Sequence, residues 1–415
     1  LMRNIFQEEA RNKTRYAPKT EGVPQAGLKP WREVVTPHQD VQSGNYQKAE
    51  FAADLAQVHR GDASSEYQDP KEFFQRTHLT AGLSDLLTNA LKRLGQNEGD
   101  PVVELQTSFG GGKTHSMLAL YHMVGVKNPA DLPGVDTLLD TVKLSPPSQK
   151  VHRAVLVGTA LSPGQSRTKS DGTKLNTLWG ELAWQLGDSV GKGKEAYAML
   201  AEADESGVSP GSEELVALFK AYSPAIILID EWVAYIRHTY NTRNVLVGGS
   251  FETNTTFAQA LTEAVKSSPN TLLVASLPSS KIEVGGEGGE HALETLKHTF
   301  KRVQSSWRPA NAEESYEIIR RRLFEPLSGQ DFAHRDAVVD AFSKLYKDNA
   351  NEFPQGCKDA PYKHKLENCY PIHPELFERL YADWSTLPKF QQTRGVLRLM
   401  ASVIHALWEA GDKSL

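Results

Sequence analysis

One short segment constrains the fold of this chain more than any other, the run TSFGGGKTH that begins at residue 107. The apolar segment PVVELQ, at 101–106, precedes it, and the helical pattern SMLALYHMV follows it. Glycines have no side chain, so their backbone N–H groups can close around phosphate oxygens at the N-terminus of a helix. The run therefore predicts a phosphate-binding loop between a buried strand and a helix, which belongs to an α/β fold.

The residues at the end of this loop have separate predicted roles. Lys113 would reach the β- and γ-phosphates of a nucleoside triphosphate, and the hydroxyl of Thr114 would ligate Mg²⁺. One residue departs from the pattern GxxxxGKT, since Thr107 stands where the first glycine is expected. We therefore predict ATP and Mg²⁺ as the bound groups. The other predicted nucleotide contacts are Phe109, Gly110, Gly111, Gly112 and His115.

A second acidic motif follows at 225–232, where the apolar segment AIILI leads into Asp230 and Glu231. Asp230 would hold Mg²⁺ through water, and Glu231 would orient or deprotonate an attacking water. An apolar strand that ends in two acids is common by itself. Its pairing with the upstream loop favours the Walker B motif of a P-loop ATPase.

The distribution of apolar segments predicts the fold class. Helical patterns separate these segments, and strands that alternate with helices form a mostly parallel sheet with helices on both faces. We therefore predict an α/β P-loop NTPase core of the AAA-like kind. The predicted strands lie at 101–106, 153–161, 225–230 and 271–277.

The chain divides into three predicted parts. Residues 1–66, with four scattered prolines, read as an irregular or partly helical arm. The ATPase core would cover 67–309, and the glycine-rich piece at 283–290 within it predicts a loop. After Pro309 the pattern is helical only, which predicts a C-terminal helical lid domain at 310–415.

Several long segments resemble a known group, the large AAA-type ATPases of bacterial phage-defence islands of the BREX and DISARM kind. The resemblance spans nearly the whole chain and implies that these 415 residues are the amino-terminal ATPase part of a longer protein. It also implies a defence role and DNA-associated partners, and maps catalytic roles onto Lys113, Thr114, Asp230 and Glu231. The segments that carry it include KPWREVVTPHQDVQSG, DPKEFFQRTHLT, SFGGGKTHSMLALYH, TLWGELAWQLG, LIDEWVAYIR and YPIHPELFERL.

The AAA-type resemblance suggests further site residues. In AAA-type ATPases a polar residue at the end of the strand that corresponds to TLLVASL contacts the γ-phosphate, and Ser276 matches this position. Ser279 and Ser280 are close competitors, and a serine at a strand end is equally a turn residue.

Arginines supply the remaining candidates. Either Arg302 or Arg308 could enter the site of a neighbouring subunit as an arginine finger, which would require a homo-oligomer, although surface solvation explains both equally well. Arg398, three residues after Gly395 at a helix start, would contact the nucleotide from the lid, with Arg394 as the alternative.

Composition excludes several other classes. The chain has 46 basic and 51 acidic residues and a formal net charge of −5, without the basic excess of a dedicated nucleic-acid-binding domain. No apolar run approaches the roughly 20 residues of a membrane helix, so we predict a cytoplasmic protein. Cys357 and Cys369 are read as free thiols, and no histidine spacing predicts a metal site.

Three functions fit these patterns. The first is an ATP-hydrolysing motor or switch in a phage-defence complex, with a methyltransferase, a helicase and DNA as possible partners. The second is a nucleotide-gated scaffold that binds ATP tightly and hardly hydrolyses it. A small-molecule kinase is the weakest, because Glu231 beside Asp230 suits an activated water better than a substrate hydroxyl.

Overall fold

The computed structural model describes residues 27–45, 53–107, 112–278, 284–300, 305–307, 312–380 and 392–415. They form two compact units, which we name the sheet unit and the helical unit. The sheet unit is formed by the described residues within Ala49–Ser315 and Gln391–Arg394. The helical unit is formed by the described residues within Leu1–Lys48, Tyr316–Phe390 and Gly395–Leu415.

The sheet unit is built on five parallel strands in the described residues. They are β1 Val102–Thr107, β2 His152–Val157, β5 Ala225–Asp230, β6 Thr271–Pro278 and β7 Ser305–Trp307, which pair in the order β2-β5-β6-β1-β7. Two further strands, β3 Arg167–Thr168 and β4 Lys174–Leu175, form a small antiparallel hairpin. The parallel sheet and its four long strands are therefore as predicted, except that β2 ends at Val157 and not at 161, whereas β7 was not predicted.

Helices flank the sheet and form the helical unit. In the described residues the first ten are α1 Gln39–Gln42, α2 Leu55–Arg60, α3 Ser65–Gln68, α4 Pro70–Gln75, α5 Ala81–Gln96, α6 Lys113–Met123, α7 Val135–Val142, α8 Leu178–Asp188, α9 Gly193–Ala198 and α10 Ala201–Ser206. The others are α11 Ser212–Ala221, α12 Trp232–Ile236, α13 Phe251–Ser267, α14 Glu287–Phe300, α15 Ala312–Leu323, α16 Gly329–Asp348, α17 Ala360–Cys369, α18 Pro374–Arg379 and α19 Gln392–Glu409. No helix among the described residues is long and apolar enough to span a bilayer.

Both faces of the sheet are buried, which explains why its strands read as continuous apolar runs. Successive side chains of a strand point to opposite faces. In β5, Ile227 and Ile229 therefore pack in one apolar layer, with α8, α11, α13 and α14, while Ile226 and Leu228 pack in the other, with α2, α4, α5, α6 and α7. The sheet thus holds the carboxyl ends of its strands at one rigid edge.

Helix α6 follows the phosphate-loop sequence and is enclosed by the rest of the unit. Every residue of it from Ser116 to Met123 is buried. A helix that is buried on all sides needs no polar face, which fits the apolar sequence MLALYHM. The start of α6 at Lys113 is consequently fixed relative to the sheet.

The structure groups the N-terminal residues differently from the predicted domains. In the helical unit, the Trp31 indole donates to Asp412 Oδ2 over 2.8 Å, and Pro37 forms a β-bridge with Phe324. Helix α2, placed by prediction in the arm, instead buries Leu55 and Val58 in the sheet unit. The predicted 1–66 arm is therefore divided between two hydrophobic cores, because its apolar residues pack against partners distant in sequence.

Arg93 of α5 links this helix to the start of β6. The side chain is only 6% exposed, and burial lowers its pKa. Its guanidinium donates to three backbone carbonyls, those of Val265 at 3.1 Å, Ser268 at 2.6 Å and Thr271 at 2.8 Å. One cation thus fixes the turn from which β6 begins.

We expect Arg93→Ala to lower the free energy of unfolding by about 2–4 kcal/mol, because three buried carbonyl groups lose their donor. Urea denaturation measures the change. Lys92→Ala, one position earlier on α5, is the control and should change stability by less than about 0.5 kcal/mol. Equal effects of the two substitutions would show that the carbonyl contacts contribute nothing.

His59 of α2 makes part of the sheet unit sensitive to pH. Burial, with a contribution from Arg153, lowers its pKa from 6.5 to about 4. Its ring meets Tyr121 of α6 edge-on, with 5.9 Å between the ring centres. Between about pH 4 and 6.5 the unfolded chain therefore binds a proton at His59 that the folded chain excludes, so stability falls as the pH decreases through this window.

We expect His59→Phe, which keeps an aromatic ring on Tyr121, to make stability less dependent on pH in this window. The substitution removes up to one of the protons that the chain takes up when it unfolds. The measurement is the urea midpoint at several pH values between 4.5 and 7.5. His298→Phe, at an exposed histidine, is the control. A pH dependence that is the same in the His59→Phe protein and the wild type would contradict the assignment.

Candidate nucleotide-binding site

The predicted site residues that the structure describes in the sheet unit meet at the carboxyl edge of the sheet. Strands β1, β5 and β6 are parallel and adjacent, so Asp230 at the end of β5 lies beside Ser276 on β6. Ligands of open α/β sheets bind outside the carboxyl ends of the strands. The edge is therefore the place where the two predicted motifs can act together.

The phosphate loop itself is described in part. Phe109, Gly110 and Gly111 lie outside the described residues. Gly112 precedes α6 with a φ of 83°, a left-handed conformation that favours glycine, and a Cβ built on it would meet, apart from its chain neighbours, no atom of the described residues within 4 Å. Lys113 and Thr114 begin the helix, where exposed N–H groups and the helix dipole favour an anion.

The carboxylate of Asp230 joins three elements of the site. Thr114 Oγ1, on α6, donates to Asp230 Oδ2 over 2.7 Å, and Ser276 Oγ, on β6, donates to Asp230 Oδ1. Asp230 is only 3% exposed. These bonds bring together the two residues that were predicted separately as Mg²⁺ ligands.

This donor set fits Mg²⁺ held together with a phosphate. Mg²⁺ is commonly bound by one or two protein oxygens, several waters and the oxygens of a substrate phosphate. Thr114 Oγ1 and Asp230 Oδ2 supply adjacent oxygens beside a helix N-terminus. Among the described residues there is no group of three or more His, Cys, Asp or Glu side chains that could hold a metal alone. The oxygens present therefore suit a metal that arrives with a nucleotide.

Glu231 has an unusual backbone. Its φ of 54° and ψ of 37° lie in the left-handed region, which few residues other than glycine adopt, and such conformations concentrate at functional sites. Its N–H lies 3.1 Å from both Asp230 Oδ1 and Ser276 Oγ. The side chain is exposed. The chain thus turns sharply after Asp230 and presents Glu231 to solvent at the sheet edge.

Ser276 links the two acids. Its hydroxyl donates to Asp230 and lies within hydrogen-bonding distance of the Glu231 N–H. The oxygen is therefore placed to orient both residues, in addition to the contact with γ-phosphate that the sequence suggested. The competitors Ser279 and Ser280 lie outside the described residues.

His115 is held by α4 and by the residues that follow this helix. Its Nε2 lies 3.0 Å from Thr77 Oγ1, and its ring packs on Phe73 with 4.5 Å between the ring centres. A nucleotide contact by His115, as predicted, would therefore come from its backbone N–H rather than its imidazole.

The structure says little about the arginines that were predicted as finger and lid residues. Arg302 and Arg308 lie outside the described residues. Arg398 is an exposed residue of α19 in the helical unit, and Arg394 belongs to the same helix. The predicted finger and lid contacts stay predictions.

One residue near the acids was not predicted from the sequence. Gly158 directly follows β2, and its N–H donates to the Asp230 carbonyl over 2.8 Å. A Cβ atom at Gly158 would lie 2.0 Å from the Glu231 carbonyl oxygen. A glycine just after the apolar segment AVLV was the only sequence signal for such a close backbone approach.

The fold and the site define a class. A parallel sheet flanked by helices, with a GGGKT sequence after β1 and paired acids after β5, is consistent with a P-loop-like α/β protein. A family model described as the DUF499 N-terminal domain matches residues 32–308 of the 415. The chain therefore belongs to this family, whose function is unknown. A search of curated proteins found no match.

For the ATPase that the sequence predicts, we expect Ser276→Ala to impair ATP hydrolysis by about 10- to 100-fold, since the change removes a donor to the Asp230 carboxylate and an acceptor near Glu231 N–H. Phosphate release measures turnover, and calorimetry with ATP and Mg²⁺ measures binding, which we expect to fall by less. Ser268→Ala is a matched control, because this buried serine precedes β6 and its hydroxyl has no hydrogen-bond partner within the part of the chain that the structure describes. Unchanged turnover in Ser276→Ala would show that the serine does not orient the acids.

Proposed function

We propose that this chain is an ATP-hydrolysing P-loop ATPase of the AAA type. The observation that carries the proposal is the 2.7 Å hydrogen bond between Thr114 Oγ1 and Asp230 Oδ2, which joins the two motifs. Either motif alone has ordinary structural explanations. Their meeting at the carboxyl edge of a parallel sheet is what an ATPase needs and what a glycine turn or a simple strand end does not require.

Binding would use the start of α6. The N–H groups of the helix N-terminus and the ammonium group of Lys113 would hold the phosphates. Thr114 and Asp230 would hold Mg²⁺, which neutralises charge on the phosphates when it is bound. These groups stand on a buried helix and a buried strand, so the phosphates would be held in one orientation relative to the acids.

Hydrolysis would use Glu231. Glu231 is exposed to water and its carboxylate can accept a proton, and the buried carboxylate of Asp230 accepts from Thr114 and Ser276 beside the predicted metal position. The two neighbouring acids are thus suited to different tasks, one to the metal and the other to the attacking water. This division supports an ATPase over a kinase that transfers phosphate to a hydroxyl group.

The order of the strands supports the AAA type. Strand β6 lies between β1, which leads into the phosphate loop, and β5, which ends in the acids. Ser276 therefore stands between the predicted phosphate-binding and water-activating groups, as the resemblance to AAA-type ATPases implies. In such an enzyme Arg398 would contact the nucleotide from a lid, and Arg302 would serve a neighbouring subunit of a homo-oligomer.

The biological role that we propose comes from the sequence resemblance. The chain would act in the cytoplasm within a bacterial anti-phage complex of the BREX or DISARM kind. A methyltransferase, a helicase and DNA are its proposed partners. The DUF499 family assignment leaves this role open.

Two substitutions test the ATPase proposal. We expect Lys113→Ala to weaken ATP binding by about 100-fold, since it removes the cation that grips the phosphates. Glu231→Gln should bind ATP within about threefold of the wild type but lose turnover by about 100-fold or more, because an amide cannot accept the proton. Calorimetry and phosphate release measure the two quantities.

The controls are Lys127→Ala and Glu213→Gln, which change exposed residues of the same types. Wild-type turnover in both Lys113→Ala and Glu231→Gln would refute the proposal. If the wild-type protein binds ATP tightly but does not hydrolyse it, either alone or with DNA added, the nucleotide-gated scaffold would be favoured instead.

A further inference from the structure

The backbones of Gly158 and Glu231 lie very close to each other, beside Asp230 and Glu231. The Gly158 N–H donates to the carbonyl of Asp230, which continues the pairing of β2 with β5 by one residue. The chain then leaves the sheet at Glu231, whose carbonyl oxygen faces Gly158. Gly158 thus lies against the turn that directs the Glu231 side chain.

Both peptide groups of Glu231 are held by neighbours. The Glu231 N–H lies 3.1 Å from Ser276 Oγ, and the Glu231 carbonyl accepts from the Ala234 N–H over 3.0 Å. A left-handed glutamate persists only where the surroundings determine its backbone. Gly158 also lies against the Glu231 carbonyl, since a Cβ built at position 158 would lie 2.0 Å from the carbonyl oxygen.

We propose that Gly158 is a positioning residue for hydrolysis, because its bare Cα admits the left-handed turn that aims the Glu231 carboxylate at the attacking water. The inference rests on the proposed ATPase function. Gly158 itself touches neither nucleotide nor metal in this proposal. It acts through the backbone of Glu231 only.

Any side chain at position 158 would meet backbone atoms. An ideal Cβ would lie 2.0 Å from the Glu231 carbonyl oxygen, 2.9 Å from its carbonyl carbon and 3.1 Å from the Tyr235 nitrogen. Helix α12 cannot retreat easily, because Trp232 and Tyr235 are at most 1% exposed and the helix packs in the apolar layer. The strained turn at Glu231 is therefore the element that would give way.

The test is Gly158→Ala, compared with Gly164→Ala. Apart from its chain neighbours, the described atom closest to a Cβ built at Gly164, in the same loop, is Ser162 Oγ at 3.8 Å, so this change adds the same methyl group without a clash. We expect Gly158→Ala to lower turnover by about 100-fold, the scale of a displacement of about 1 Å, while ATP affinity stays within about threefold. Gly164→Ala should match the wild type in both.

A double-mutant cycle with Glu231→Gln separates positioning from general damage. If Gly158 acts only through the Glu231 carboxylate, adding Gly158→Ala to Glu231→Gln should lower the residual single-turnover rate no further. Losses that multiply would overturn the proposal. Wild-type turnover in the single Gly158→Ala protein would overturn it as well.

If the Gly158→Ala protein fails to fold, Ala234→Gly takes its place in the test. This change loosens the first turn of α12, whose Ala234 N–H donates to the Glu231 carbonyl. We expect a several-fold loss of turnover with unchanged ATP affinity, and full turnover would count against the proposal. Absence of turnover in the wild type refutes the ATPase function itself. The Gly158 proposal can be refuted separately, because its test compares variants with a wild-type protein that hydrolyses ATP.

Discussion

The buried carboxylate of Asp230 is the group on which the rest of the site depends. It accepts hydrogen bonds from Thr114 on α6 and Ser276 on β6, and it lies near the N–H of Glu231. A carboxylate that is 3% exposed requires such donors, because burial without partners costs several kcal/mol. The need of one buried acid for donors therefore aligns α6 with two strands of the sheet.

Much of the fold could be predicted because burial on both faces leaves a clear pattern in the sequence. The apolar residues of β5 form a run that fits a central parallel strand. Strand β7 was missed because Ser305–Trp307 becomes a strand only by pairing with β1. Helix α14 begins at Glu287, inside the predicted loop, since Ala292, Leu293 and Leu296 further along bury one side of it. Such tertiary effects leave little local signal.

The candidate site was predictable to the extent that its chemistry resides in side chains. Lys113, Thr114, Asp230 and Glu231 stand in recognisable motifs, and their meeting follows from the geometry of parallel strands. The left-handed backbone of Glu231 was not predictable, because glutamate rarely adopts it and part of what holds it is the contact with Ser276, which is distant in sequence. The role of Gly158 was also hard to predict, because what it contributes is the absence of a side chain and not a recognisable chemical group.

The burial of α6 limits how the sheet unit could respond to a bound nucleotide. A helix enclosed from Ser116 to Met123 has no free direction in which to shift, because a packed interior resists displacement. Any displacement within the sheet unit would therefore have to occur outside α6, because the side chains of this helix interlock with the surrounding apolar layer.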